Sequence, residues 1–484
     1  MHTPNTPGWI SANRLGFSLL QLALLLISFP VTGTLCAGQE LTRGQILETV
    51  ACQGNPLQTY ALYLPSSYVP DRKWPILYAL DPGARGLMPV RRFREAAEKY
   101  GYILAGSNNS RNGPVRIVEE AVNAMLRDTQ LRFSIDTQRF YLAGFSGGAR
   151  AAVEVGFAMK GKVAGIAAFG AGFPSDLPPT AATPFAVYLA AGFEDFNFPE
   201  LRELDRTLSG LRVPHQFETF PGGHDWPPEV VCTHAVEWLE LEAMKSGLRG
   251  RDASLIESIY AQTVEEAEAL ERQGRRDASL ERYAAAREVF SGLRDLTAVT
   301  LKIRQLDPAE DVRKSRALEK DVERRQKITV SDLSLLFENV KAGRDPLAAA
   351  QELRTRLSRI RGEADQKKDA VARIAGLRVL TEFWIVLNAE ASDAFEKQDF
   401  RAAALRLELM TQIQPDNPQV FFHLARAQSL GGRTKQAMEA LVNAVAKGYR
   451  DIETLESSPD LEPLKKKREY REILDDLRKR RRHP

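Results

Sequence analysis

The stretch Arg139 to Ala152, RFYLAGFSGGARAA, constrains this chain more than any other. Phe140 to Ala143 read as a short buried strand, GFSGG turns sharply, and small residues then open a helix. Ser146 stands at the apex of a G-x-S-x-G pattern, with Gly144 and Gly148 on either side. Such a turn leaves no room for side chains beside its apex. It pushes the Ser hydroxyl clear of the sheet and sets the first N–H groups of the helix beneath it. The bare pattern arises by chance in roughly one chain in six of this length, so the surrounding residues have to decide its meaning.

A chain of 484 residues allows two or three domains. With 44% hydrophobic and 27% charged residues it has the composition of a globular protein. Its 66 basic and 63 acidic residues nearly cancel, which excludes a nucleic-acid footprint, and the terminal RKRRRHP reads as a solvated helix end. Histidines, cysteines and carboxylates show no metal-ligand spacing and no Gly-rich phosphate loop appears, so neither a metal nor a cofactor is expected.

Residues 1–38 differ. Arg14 precedes an apolar run of 15 residues, Leu15 to Phe29, followed by Pro30, Gly33 and small residues. A membrane span needs about 20; the run fits a signal peptide cleaved after about Ala37 or Gly38, and hence a periplasmic or secreted protein. An uncleaved anchor is the alternative, and only that or lipidation at Cys36 would bring the chain to a membrane. Leu35 stands where lipidation favours a small residue. Cleavage would leave Cys52 and Cys232, as a disulfide or as two buried thiols.

From residue 46 short apolar runs alternate with helical patterns, which predicts an open α/β sheet. Eight strands are expected, at 46–52, 59–65, 75–81, 102–108, 139–144, 163–170, 185–192 and 215–222. Helices are expected at 90–100, 115–133, 147–160 and 199–211. Eight strands with the Ser turn after the fifth resemble the α/β-hydrolase fold, with a mostly parallel sheet, over roughly residues 45–245. The phrases QTYALYLPSSY and WPILYALDPG resemble its esterase branch, which contains dienelactone-hydrolase-like, feruloyl-esterase-like and polyhydroxybutyrate-depolymerase-like enzymes.

That resemblance implies a nucleophile, an acid and a histidine, in that chain order, at the C-terminal ends of strands. Ser146 needs an adjacent imidazole as general base. His215 falls at the start of a strand and His234 in a helix, whereas His224 lies in the Gly-rich loop FPGGHDWPP after the eighth strand. Asp195 fits the family's G-x-x-D pattern after Gly192; Glu194 and Asp176 are its competitors. One oxyanion donor would be the Gly147 N–H. The other would come from the loop Asp81 to Gly86, where the family commonly has His-Gly and this chain has Asp-Pro. Pro82 has no N–H to give, so Gly83 or Ala84 would have to donate. PSDLPPTAATP is too short for a lid, which implies an open cleft within reach of Arg85, Asn108, Asn109, Arg111 and Trp226.

Beyond about residue 245 the pattern is helical to the end. Ala403, Leu407 and Met410 are followed 34 residues later by Ala437, Leu441 and Ala444, a period that resembles tetratricopeptide repeats. A partial copy is expected at 266–290, with Gly274, Ala278, Tyr283 and Ala286 in comparable places, and no repeat is assigned at 300–390. The expected organisation is therefore a signal peptide (1–38), an α/β-hydrolase domain (39–245), a helical region (246–390), and repeats with a basic tail (391–484). The expected function is an exported serine esterase cleaving carboxylic esters, with an all-α domain for a protein or peptide partner. The alternatives are a weakly active hydrolase fold serving as an interaction scaffold, and a peptidase or lactonase using the same three residues.

Overall fold

The computed structural model describes residues 41–482; the apolar run, Cys36 and the expected cleavage site lie outside the described residues. One eight-stranded sheet has the order β1-β2-β4-β3-β5-β6-β7-β8. Its strands are β1 (Ile46–Cys52), β2 (Asn55–Tyr63), β3 (Trp74–Leu80), β4 (Ile103–Ser107), β5 (Ile135–Phe145), β6 (Gly165–Phe169), β7 (Ala186–Gly192) and β8 (His215–Phe220). β2 runs antiparallel to both neighbours, and every pair from β4 to β8 is parallel.

Parallel strands are covered on both faces, so they read as unbroken apolar runs. β3 is buried at every position; Trp74, Ile76, Tyr78 and Leu80 enter one core while Leu77 and Ala79 enter the other. Helices α2 (Val115–Arg132), α3 (Gly147–Ala158) and α4 (Phe198–Leu211) supply the first face. Helices α1 (Leu87–Tyr100) and α5 (Glu229–Lys245) supply the second. This strand order, with a reversed strand near one edge and a Ser-bearing turn after β5, is that of the α/β-hydrolase fold. The order of connection reverses at β3 and β5, where open α/β sheets leave a crevice at the strands' C-terminal ends.

Every later element among the described residues is helical. First come α6 (Ala253–Arg272), α7 (Arg276–Val289), α8 (Thr297–Leu306), α9 (Glu310–Lys341), α10 (Pro346–Ala364) and α11 (Ala370–Glu396). There follow α12 (Phe400–Ile413), α13 (Pro418–Leu430), α14 (Thr434–Ala446), α15 (Ile452–Ser457), α16 (Glu462–Lys465) and α17 (Arg468–Arg482). Ala403, Leu407 and Met410 on α12 and Ala437, Leu441 and Ala444 on α14 are all buried. Gly274, at φ +75°, turns the chain between α6 and α7, and Tyr283 and Ala286 on α7 are buried in the next core. Cys52 and Cys232 are separate buried thiols, which resolves the open alternative against a disulfide.

The helices close onto the β8 edge through a chain of ionisable groups. Tyr188 donates to Glu218; the His234 ring lies 2.9 Å from Glu218 and 3.3 Å from Glu266; and Arg282 meets Glu266 at 2.6 Å. Burial works against a charged His234 ring, but the Glu218 and Glu266 carboxylates outweigh it and hold its pKa up at about 9. A base whose folded pKa exceeds its unfolded value of about 6.5 contributes its full stabilisation below pH 6.5. That contribution drains away as pH rises towards 9. The thermal midpoint of the full chain should therefore fall between pH 6 and pH 9, and the fall should be clearly smaller in His234→Gln. Equal slopes in calorimetry would refute the assignment.

Candidate active site

Ser146 sits between β5 and α3 at φ 52° and ψ −124°, a region that costs a non-glycine residue about 1–3 kcal/mol. Close backbone packing maintains it. A Cβ on Gly148 would stand 2.2 Å from the Leu80 carbonyl oxygen, and one on Gly144 2.2 Å from that of Gly148. The Ser146 N–H donates to the Phe169 carbonyl at 2.8 Å, which fixes the turn to β6.

The structure brings Ser146, His224 and Asp195 together in one line of hydrogen bonds. His224 Nε2 lies 2.9 Å from Ser146 Oγ, and His224 Nδ1 lies 2.9 Å from each Asp195 carboxylate oxygen. Each comes from a loop at a strand's C-terminal end, after β5, β8 and β7. Phe145 and Phe196 flank the imidazole with ring centroids 4.6 and 4.5 Å away. Asp195 is fully buried, so its lone pairs must be met inside the protein. The Asn197 N–H supplies a further bond to Oδ1 at 2.8 Å, and the Asn197 side chain ties the loop to the Gly170 carbonyl at 2.7 Å.

The competing residues are engaged elsewhere. Glu194 pairs with Arg373 at 2.7 Å, and Asp176 is exposed. His215 contacts the Val213 carbonyl and Asp205, and His234 belongs to the seam on β8.

The loop after β3 differs from expectation. The Gly83 N–H donates to Asp81 Oδ1 at 2.8 Å and the Ala84 N–H to the Asp81 carbonyl at 3.2 Å. Asp81 is fully buried and also accepts from Arg85 (2.9 and 3.0 Å) and from Trp226 Nε1 (2.7 Å). Its carboxylate thus folds the turn inwards, so neither amide points free towards Ser146. Pro82 instead offers its carbonyl to the Asn112 N–H at 2.9 Å. Trp226, expected in the cleft, is a buried brace. Asn108 and Asn109 are tied to the Glu48 and Leu57 carbonyls. Gly147, the first residue of α3, keeps an N–H with no intrahelical acceptor.

A cavity of about 180 Å³ adjoins that amide, lined among others by Pro82, Arg111, Asn112, Gly147, Ala151 and Glu154. Burial, with Asp176 adding to it, pushes the Glu154 carboxyl up to about 7. Neither this cavity nor a larger hollow of about 620 Å³ at the β8 seam is lined by Ser146 or His224. The β6–β7 connection carries no helix, so no lid stands over the site from that side. Asn112, Phe196 and Asn197 escaped the sequence reading. Asp195 itself offered a signal for the turn, since an Asp side chain can accept from the backbone N–H two residues on.

No protein-family model matches the chain, and no curated protein matches it. Among solved structures it is similar to an S-formylglutathione hydrolase (FrmB) from Staphylococcus aureus, at 16% identity and TM-score 0.34, covering 42% of this chain and 99% of that one. It is also similar to FphF, a fluorophosphonate-binding serine hydrolase from Staphylococcus aureus (15% identity, 40% and 97% covered, TM-score 0.33). A ferulic acid esterase matches at 17% identity, with 40% and 94% covered and TM-score 0.32.

The tight packing at the Ser turn is directly measurable. Gly148→Ala should lower stability in urea titration by about 1–3 kcal/mol, because the Leu80 backbone must move. Gly223→Ala, whose Cβ would meet nothing within 4 Å, should stay within about 0.5 kcal/mol of the wild type. Equal effects would refute the packing account.

Proposed function

We propose that the chain is a serine esterase. The observation that carries this reading is the unbroken hydrogen-bond line from Asp195 through His224 to Ser146. Ser146 Oγ attacks the ester carbonyl carbon while His224 Nε2 takes its proton. The carbonyl π-electrons move to oxygen, giving a tetrahedral oxyanion. As it collapses, the C–O bond to the alcohol breaks and His224 returns the proton to the leaving oxygen. A water then attacks the acyl-enzyme with the same proton transfers and releases the acid. Asp195 holds the imidazole in the required tautomer and stabilises the imidazolium.

The Gly147 N–H is one oxyanion donor. The loop after β3 supplies a second donor only when Gly83 or Ala84 is released from its bond within the Asp81 turn. The absence of a helix between β6 and β7 suits esters of larger molecules. We further propose export to the periplasm or medium, directed by the apolar run at Leu15–Phe29, and tetratricopeptide-like units in the C-terminal helices that hold a protein or peptide. The internally bonded Gly83 and Ala84 amides favour a second reading, a weakly active hydrolase fold kept beside an interaction scaffold.

A fluorophosphonate probe should label the wild type at Ser146, and Ser146→Ala should lose both labelling and turnover of short-chain aryl esters, by at least about 10⁴-fold. Absent labelling and turnover in the wild type would favour the scaffold.

A further inference from the structure

We propose that Arg378 and Gln326, from the helical half of the chain, are positioning residues for Asp195. They hold the acid-bearing loop from behind and set a positive charge against it. This rests on the reading of Asp195 as the triad acid.

The loop from Phe193 to Asn197 uses its own amides on the α/β-hydrolase side. The Phe193, Glu194 and Asp195 N–H groups donate to the Phe220, Gly222 and Gly192 carbonyls at 2.9, 2.8 and 2.9 Å. Two of the loop's carbonyls face the helices. Arg378, on α11, donates to the Phe193 carbonyl from Nε at 3.1 Å and also from Nη2. Gln326, on α9, donates to the Phe196 carbonyl at 2.8 Å, and its own oxygen accepts from Arg378 Nη1 at 3.3 Å. Asp195 lies between the two clamped carbonyls. The Arg378 guanidinium also stands over the Phe193 and Phe198 rings, 5.4 and 4.7 Å from their centroids.

The chemistry of this contact is unusual for a domain seam. Arg378 is fully buried, and no carboxylate among the described residues lies within ion-pair distance of it. An apolar side chain would fill that volume without the cost of desolvating a charge. The seam on β8 pairs its buried cations with carboxylates; this one sets a cation on a single main-chain oxygen of the loop, that of Phe193. The charged groups around it are Glu319 and Glu323 on α9 and Glu194 and Asp195 on the loop. Arg373 offsets Glu194, and Arg202 of α4 offsets Glu319 at 3.2 Å. Glu382 of α11 is pushed up to about 7 by burial, with Gln326 opposing. Burial draws the Arg378 pKa down to about 10, with the Glu319 and Asp195 fields opposing, so it remains charged at neutral pH.

Two effects on catalysis follow. The clamp fixes the loop's register, and sub-ångström errors in a catalytic group cost rate. The cation behind Asp195 also takes up part of the carboxylate's field, leaving less to stabilise the imidazolium. Removing the charge should therefore make the imidazolium persist to higher pH.

The test uses the full chain and a short-chain aryl ester, with kcat and KM followed across pH, thermal melts as the folding control, and fluorophosphonate labelling rates. In Arg378→Gln, kcat should fall about 10- to 100-fold with KM nearly unchanged, and the acidic limb of the kcat/KM profile should move to higher pH. Arg378→Lys, which keeps the charge, should hold the acidic limb at its wild-type position and recover part of kcat. Gln326→Leu leaves the charge in place and should lower kcat without moving the limb, so it carries the test if Arg378→Gln fails to fold. Wild-type kcat and an unmoved limb in the folded variants would overturn the proposal alone. A wild type that neither labels nor turns over would overturn the esterase reading, and this one with it.

Discussion

The geometry of the site depends on one close approach, that of the α3 N-terminus to the end of β3. At Gly148 the two backbones are so near that a methyl group would stand 2.2 Å from the Leu80 carbonyl oxygen. This contact lets Ser146 remain at φ 52°, where its hydroxyl leaves the sheet and meets His224. The strain of the turn is local, but the packing that sustains it is spread over β3, β5 and β6. A rigid sheet core is what makes such a turn affordable.

Much of this was legible in the chain. The central strands are covered on both faces, so their apolar runs stand out against the amphipathic helices between them, and all eight fall where they were expected. The three residues that the structure lines up, Ser146, His224 and Asp195, could be singled out in the chain because a parallel sheet sends its loops to one edge in chain order. The fate of the Asp81 loop was not. Whether an amide points to solvent or back into its own turn depends on backbone angles such as the φ of 60° at Ala84, and the residue type does not state them. Trp226 was misplaced for a related reason. An indole beside a Gly-rich loop suits a cleft, but the buried carboxylate of Asp81 needed a donor, and the ring turned inwards to supply it.

Long-range polar pairing was the least legible feature. His234 reads as one polar residue in a helix, and nothing near it in sequence names Glu266 as its partner on α6. Arg378 did carry a sign of its burial. It interrupts the apolar run from Ile374 to Leu380, where a cation has no reason to sit unless a buried acceptor waits opposite. The acceptor is a main-chain oxygen 185 residues earlier, which no local pattern encodes.

The two seams between the sheet and the helices therefore follow different physical rules. On β8 the ionisable groups satisfy one another, so that seam acts as an adhesive whose strength follows pH through His234. Behind β7 the helices present a cation and an amide to carbonyls that only the acid loop exposes. Shifting the helices on the first seam would exchange one set of ion pairs for solvent. Shifting them on the second would strip a buried guanidinium of its main-chain acceptor, leaving it only the Gln326 oxygen, and free the loop that carries Asp195. An uncompensated buried charge is among the costliest defects a protein can hold, so the second seam tolerates far less displacement. Its location, directly behind the carboxylate that orients His224, makes the helical half part of the site's mechanical support.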